Sequence, residues 1–260
     1  MRDFWNSQFK FSEVLPDFAD SVARMAADSR RVSDSQTFDR QSYGPHPRQW
    51  VEWISGRGPE TLLPVILHGG YWRALEAETH RFMMPAFQDH GAFVANVEYR
   101  LMPEVRLGDV VADTLAAVRL LMDRFPSSKL LLIGHSAGAH LAVSTLRDPD
   151  VAGRTQGVLA LSGVYDLAPV ALSFLQDELQ LTQEEQSTFS LAADEPRPPV
   201  LYVNGGAETH EFLRSGALMS RGDRAGWRVL DRENHMSLTW AACAQSDALV
   251  SSLIEMETSA

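Results

Sequence analysis

The sequence predicts an α/β fold, a mostly parallel sheet with helices on both faces. Short apolar runs at 62–67, 92–97, 130–133, 157–161 and 200–203 lack the two-residue alternation of a half-exposed strand. They read as strands covered on both faces. Segments with apolar residues at helical spacing separate them. Regular alternation of the two element types makes neighbouring strands parallel and sends the connecting helices across the faces.

Along the chain, residues 18–29 (FADSVARMAADS) carry apolar side chains at helical spacing and read as an amphipathic helix. Residues 33–47 are polar, with Gly and Pro, and read as a connection. Residues 49–54 alternate loosely and read as a strand. Helices are expected at 81–89, 109–124, 139–146, 211–221 and 236–253, and a last strand at 227–230. The stretch from Tyr165 to Pro199 breaks the rhythm with mixed Leu, Phe and acidic residues and a Pro-rich exit. A connection this long in a compact domain carries helices of its own or a function, so 165–199 reads as a small helical insertion over the active edge. The whole of 1–260 reads as a single domain.

Composition narrows the function classes. With 23 Lys and Arg against 34 Asp and Glu, the formal charge is −11. No basic cluster offers a phosphate footprint, so nucleic acid is not expected as a partner, and an anionic membrane surface is disfavoured. No run of 18 apolar residues suggests a membrane span. The first residues, MRDFWN, lack the apolar core of a secretory signal. A cytoplasmic location is therefore expected. The single Cys243 allows no internal disulfide and falls in a helical pattern, where a buried, inert thiol is expected. No HExxH, CxxC or GxGxxG occurs in a fitting context, so neither a metal nor any other cofactor is expected. Assembly as a homodimer stays open.

The chemistry centres on Gly134-His135-Ser136-Ala137-Gly138, between an apolar strand and a small-residue helix. A strand that turns sharply into a helix needs small residues on both sides, and the turn lifts the serine hydroxyl clear of the backbone. A serine hydroxyl is a poor nucleophile unless a base takes its proton. In this arrangement the acid and then the histidine follow the serine in chain order. His235, in ENHMS between the last strand and the last helix, is the candidate base; His210 reads as a solvated side chain. Glu208 is the first carboxylate after the 200–203 strand and is the candidate acid, with Glu211 and Asp231 as rivals. The attacked carbonyl becomes an oxyanion that needs preorganised N–H donors. His68-Gly69-Gly70-Tyr71-Trp72 follows a strand, and its paired glycines let backbone N–H groups face a ligand. Gly70 and Tyr71 N–H are the candidate donors, with Ala137 N–H after the nucleophile.

The motifs HGGYW, GHSAGAH, Tyr99-Arg100-Leu101-Met102-Pro103-Glu104 and NHMSL resemble the α/β-hydrolase superfamily near the hormone-sensitive-lipase-like esterases. HGGYW, in place of HGGG, is similar to the HGGxW of the kynurenine formamidase (arylformamidase) branch, and the similarity runs from about Trp5 to about Leu253. The resemblance implies an α/β-hydrolase fold and metal-free hydrolysis of N-formylkynurenine to kynurenine and formate. It places Ser136, Glu208 and His235 in the triad and Gly70, Tyr71 and Ala137 in the oxyanion hole. An aryl pocket walled by Tyr71, Trp72, Tyr165 and Phe174 is the matching expectation. A carboxylesterase or thioesterase acting on small acyl esters uses the same machinery and is the main alternative. A hydrolase-fold binding protein without catalysis is the other, disfavoured because both nucleophile and base are present.

Overall fold

The computed structural model describes residues 1–195 and 197–258. Eight strands form one sheet: β1 (Asp39–Ser42), β2 (Trp50–Ser55), β3 (Leu62–Leu67), β4 (Phe93–Val97), β5 (Lys129–His135), β6 (Thr155–Leu161), β7 (Val200–Gly205) and β8 (Ala225–Leu230). Their order is β1-β2-β4-β3-β5-β6-β7-β8. Strand β2 runs antiparallel to both of its neighbours, and every pairing from β4 through β3 to β8 is parallel. The continuous apolar runs sit where predicted. Strands β3, β5, β6 and β7 are buried almost residue by residue, as a sheet covered on both faces requires.

The helices that flank the site follow from their sequences. Leu107–Arg124 begins in a capping box, in which the Asp109 carboxylate accepts from the Arg106 N–H, and packs on helix Ala137–Thr145. Ala137–Thr145 is buried at every residue, which small side chains permit in the interior of the sheet–helix layer. Ser246–Thr258 packs on β6 and β7. In the 165–199 region lie three short helices, Leu167–Ala171, Gln176–Leu179 and Gln183–Phe189; the last is opened by a Thr182–Glu185 capping box.

Four departures from the sequence reading have local causes. The expected helix at 81–89 is a 3-10 helix over Ala77–Phe87; Pro85 lacks the N–H that a longer α-helix needs there. The polar stretch at 33–47 contains β1, whose residues are all exposed and so carry no apolar signal. The expected helix at 236–253 is two helices, Leu238–Ala244 and Ser246–Thr258. Helix Arg2–Phe9 was not predicted; its apolar side chains Phe4, Trp5 and Phe9 are too few to show a period.

Candidate active site

All the candidate residues lie at the carboxyl ends of adjacent parallel strands, the edge where open α/β sheets bind ligands. Ser136 follows β5, Ser162 follows β6, Glu208 follows β7, His235 follows β8 and the His68–Trp72 loop follows β3. Backbone hydrogen bonds tie each strand exit to the next. Ser136 N–H donates to Leu161 O at 2.8 Å, Ser162 N–H to Val203 O at 2.8 Å and Gly206 N–H to Leu230 O at 2.9 Å. The edge that carries the candidate residues is therefore set by the sheet rather than by free loops.

Ser136 sits at φ 56, ψ −119, immediately before helix Ala137–Thr145. That left-handed conformation is strained for a residue with a Cβ and persists because both flanks are fixed. The helix can approach because residue 138 is glycine: a Cβ there would come 2.1 Å from Leu67 O. The β3 loop also packs against the elbow, since a Cβ on Gly69 would lie 3.2 Å from the Cβ of Ser136. In that loop Gly70 has φ +110, and Tyr71 and Trp72 have φ 52 and 58. Among the described residues no acceptor takes the N–H of Gly70 or Tyr71. Ala137 N–H is at the first position of its helix, where no intrahelical acceptor exists.

His235 is buried, and its Nδ1 lies 3.3 Å from Glu208 Oε2. The other Glu208 oxygen accepts from Gly205 N–H at 2.6 Å and from the Ser162 hydroxyl. One carboxylate oxygen is thus anchored and the other left for the imidazole. The rivals are placed elsewhere: Glu211 pairs with Arg214 at 2.6 Å, and Asp231 is exposed. His210 is exposed, as expected. The ring of His235 stacks on Phe11, with centroids 4.2 Å apart, and leans on Phe212 at 4.4 Å. His235 O is held by His135 Nε2 at 2.9 Å. The Ser136 hydroxyl makes no hydrogen bond among the described residues, His235 included. In sites without substrate such bonds are commonly long and tighten on binding.

Ser136 and His235 border one cavity of about 250 Å³, together with Gly70, Tyr71 and Phe174. Two expected walls do not. Trp72 is fully buried, edge-on to His140 with centroids 5.1 Å apart, and Tyr165 is buried edge-on to Tyr202 at 5.3 Å. Both pack in the interior, which is the commoner fate of a large aromatic side chain. In their place the N-terminal segment supplies Phe9, Phe11, Phe18 and Val22. Its hold on the site is specific: Tyr71 OH donates to Phe9 O at 2.9 Å and Thr209 OH to Gln8 O at 2.9 Å. Sequence reasoning missed Phe9, Phe11, Ser162, Phe212 and the bracing role of His135. The alternating aromatics of Gln8-Phe9-Lys10-Phe11 were the only available signal for the first two.

From the cavity wall inward the rings of His235, His135, His80 and His68 form a row, with successive centroids 4.9, 5.9 and 5.8 Å apart. Burial lowers His68 and His135 to about 3, His140 to about 4 and His80 well below the usual imidazole value. Folding thus keeps four imidazoles neutral that the unfolded chain protonates near pH 6.5. Between pH 6.5 and 4 only the unfolded state takes up these protons, so stability falls as pH falls. Glu98 opposes this. Burial, partly offset by Ala77 N–H and by its pair with Arg48, pushes its carboxyl up to about 7, so acidification relieves it. With four groups against one, the urea midpoint should drop steadily from pH 6.5 to 5; a flat or rising midpoint would show that the imidazoles are not buried neutral. Among the described residues no group of three or more His, Cys, Asp or Glu is placed to hold a metal ion. Burial pushes the half-buried Cys243 thiol up to about 12, far from a reactive thiolate.

A family model of the alpha/beta hydrolase fold matches residues 64–197, from β3 into the 165–199 region. The chain belongs to the alpha/beta hydrolase family. It is similar to the kynurenine formamidase of Danio rerio, 32% identical over 69% of this chain and 63% of the relative. It is also similar to an acetyl-hydrolase of Streptomyces hygroscopicus, 34% identical over 37% of this chain and 33% of that one. The chain thus spans less than two thirds of the length of either curated relative. A solved structure of a candidate thioesterase from Silicibacter sp. TM1040 superposes with a TM-score of 0.86 over 96% of this chain and 98% of that one, at 24% identity. That likeness concerns the fold. Among the described residues no helix is long and apolar enough to cross a membrane.

Proposed function

We propose that this alpha/beta hydrolase is a metal-independent serine hydrolase that cleaves aryl formamides, N-formylkynurenine foremost. The observation that carries the reading is that His235, paired with Glu208, borders with Ser136 one aromatic cavity that the N-terminal segment helps to line. In this mechanism Ser136 Oγ attacks the formyl carbon while the unprotonated His235 Nε2 takes the hydroxyl proton. Glu208 holds Nδ1–H and offsets the charge on the imidazolium. The N–H groups of Gly70, Tyr71 and Ala137 receive the oxyanion. The tetrahedral intermediate expels the arylamine, which takes the proton from His235 and leaves a formyl ester on Ser136. A water molecule, deprotonated by His235, then releases formate and restores the serine.

The cavity supports the aryl part. A pocket of about 150 Å³ holds benzene in a well-studied engineered protein, so about 250 Å³ accommodates a substituted ring. The similarity to kynurenine formamidases supports the formyl part. The likeness to an acetyl-hydrolase favours a second reading, hydrolysis of small acyl esters by the same residues. Comparing kcat/KM for N-formylkynurenine with that for p-nitrophenyl acetate separates the two. The formamide is expected to be the better substrate by at least tenfold, and a formamidase rate at background would leave only the ester reading. A homodimer, compatible with the sequence, is a separate proposal that sedimentation tests.

A further inference from the structure

The cavity wall carries charge of one sign. Lys10 and Arg73 border the cavity and, among the described residues, no carboxylate does, in a chain whose net charge is −11. Arg73 reaches the wall through the oxyanion loop itself. Arg73 N–H and Ala74 N–H both donate to Gly70 O, at 3.1 and 3.0 Å, so the left-handed turn at Tyr71 and Trp72 delivers Arg73 beside the donor Tyr71. Its Nε is buried and has no acceptor among the described residues. Its Nη1 pairs with Glu178 of helix Gln176–Leu179. Lys10 pairs with Glu13 at 2.5 Å and stands 6.0 Å from the centre of the Phe174 ring. The carboxylates that neutralise these cations face outward: the side chains of Glu178 and Glu13 are 51% and 63% exposed.

We propose that Arg73, assisted by Lys10, is a specificity-determining residue that receives a carboxylate on the substrate, so that the site selects an aryl acyl compound bearing an acid group over its neutral counterpart. The inference rests on Ser136 being the nucleophile of this cavity. Its physical basis is a difference between two carboxylates. The Glu178 pair is a surface ion pair that contributes little, because water competes for both partners. A substrate carboxylate inside the cavity meets the same guanidinium with less water present and can engage it through two parallel N–H donors. Exchange of the surface partner for the substrate's is therefore favourable. The aryl ring then lies among the apolar walls while its reacting carbonyl reaches Ser136.

The test uses an ester pair, so that it stands even if the enzyme proves inactive on formamides: 3-(3-acetoxyphenyl)propionate and its carboxamide. The readout is the ratio of kcat/KM for the acid to that for the carboxamide. The wild-type ratio should exceed one. Arg73→Gln should lower it about 10- to 100-fold, the usual weight of a hydrogen-bonded contact to a charged group. A merely structural Arg73 would lower both rates together and leave the ratio unchanged. Glu178→Gln removes the competing carboxylate and should raise the ratio about two- to fivefold, an effect opposite to that of general damage. An unchanged or lowered ratio in Glu178→Gln overturns the proposal whether or not Arg73→Gln folds. Labelling of Ser136 by a fluorophosphonate in the same samples reports separately on the nucleophile.

Discussion

Ser136→Ala is expected to lower kcat by about a million-fold on the best substrate while leaving the melting temperature within a few degrees of wild type. The magnitude follows from the best-studied serine hydrolase, where loss of the nucleophile or of the histidine removes nearly everything the triad supplies. The stability expectation comes from this site. The Ser136 hydroxyl has no hydrogen bond to lose among the described residues, and alanine keeps the Cβ already accommodated at φ 56. His235→Ala should reach the same floor, and the double variant should fall no further than either single one, because nucleophile and base act as one unit. Single-turnover kinetics with a chromogenic aryl ester, and loss of fluorophosphonate labelling at residue 136, check it. A Ser136→Ala enzyme retaining a few per cent of activity would assign the nucleophile to another group.

The residual rate of these variants should not reach that of water. The β3 loop and Ala137 still present their N–H groups, and binding in the cavity persists, so a floor of about 10³- to 10⁴-fold over the uncatalysed reaction is expected. The position of that floor separates the two halves of the proposed machinery: the proton-transfer half follows β5, β7 and β8, the oxyanion half follows β3 and opens helix Ala137–Thr145.

How much of this was legible in the sequence depends on how local the determinant is. The elbow at Ser136 and the glycine loop at 68–72 are short-range geometry: Gly138 and Gly70 stand where backbones approach too closely for a Cβ, and glycines are visible in the chain. Strands β3 to β7 were legible because burial on both faces writes continuous apolar runs. Strand β1 was not, because an edge strand with exposed side chains has no such pattern. The walls of the cavity were the least legible part. Whether Phe11 or Trp72 faces the cavity depends on how the N-terminal segment crosses the sheet edge, and that crossing is held by contacts spanning many residues, such as Thr209 to Gln8. Aromatic residues next to a motif are close in sequence, and Trp72 shows that this does not place them on the cavity wall. The sequence singled out Glu208 as the candidate acid, with Glu211 and Asp231 as rivals, and the partners favour that candidate: Arg214 engages Glu211, while Gly205 and Ser162 orient Glu208 toward His235.

Glu208→Gln carries the second-largest expected effect, a loss of about 10⁴ in kcat with the fold intact, by analogy with the equivalent change in a serine protease. The amide oxygen can take over the anchor, accepting from Gly205 N–H and the Ser162 hydroxyl as the carboxylate oxygen does. That orientation turns the amide nitrogen toward His235 Nδ1, now 3.3 Å from the other carboxylate oxygen. Two donors cannot face each other, so the imidazole adopts the tautomer with its proton on Nε2. Nε2 then has no lone pair to accept the Ser136 proton, and the charge that forms on the ring loses its counterion. Because the defect lies in proton position rather than in binding, KM should change by less than threefold while kcat collapses. Glu208→Asp keeps the charge but shortens the side chain by one methylene; it should recover at least tenfold over the Gln variant. Activities of the Gln and Asp variants that match would show that the charge at position 208 does not act through His235.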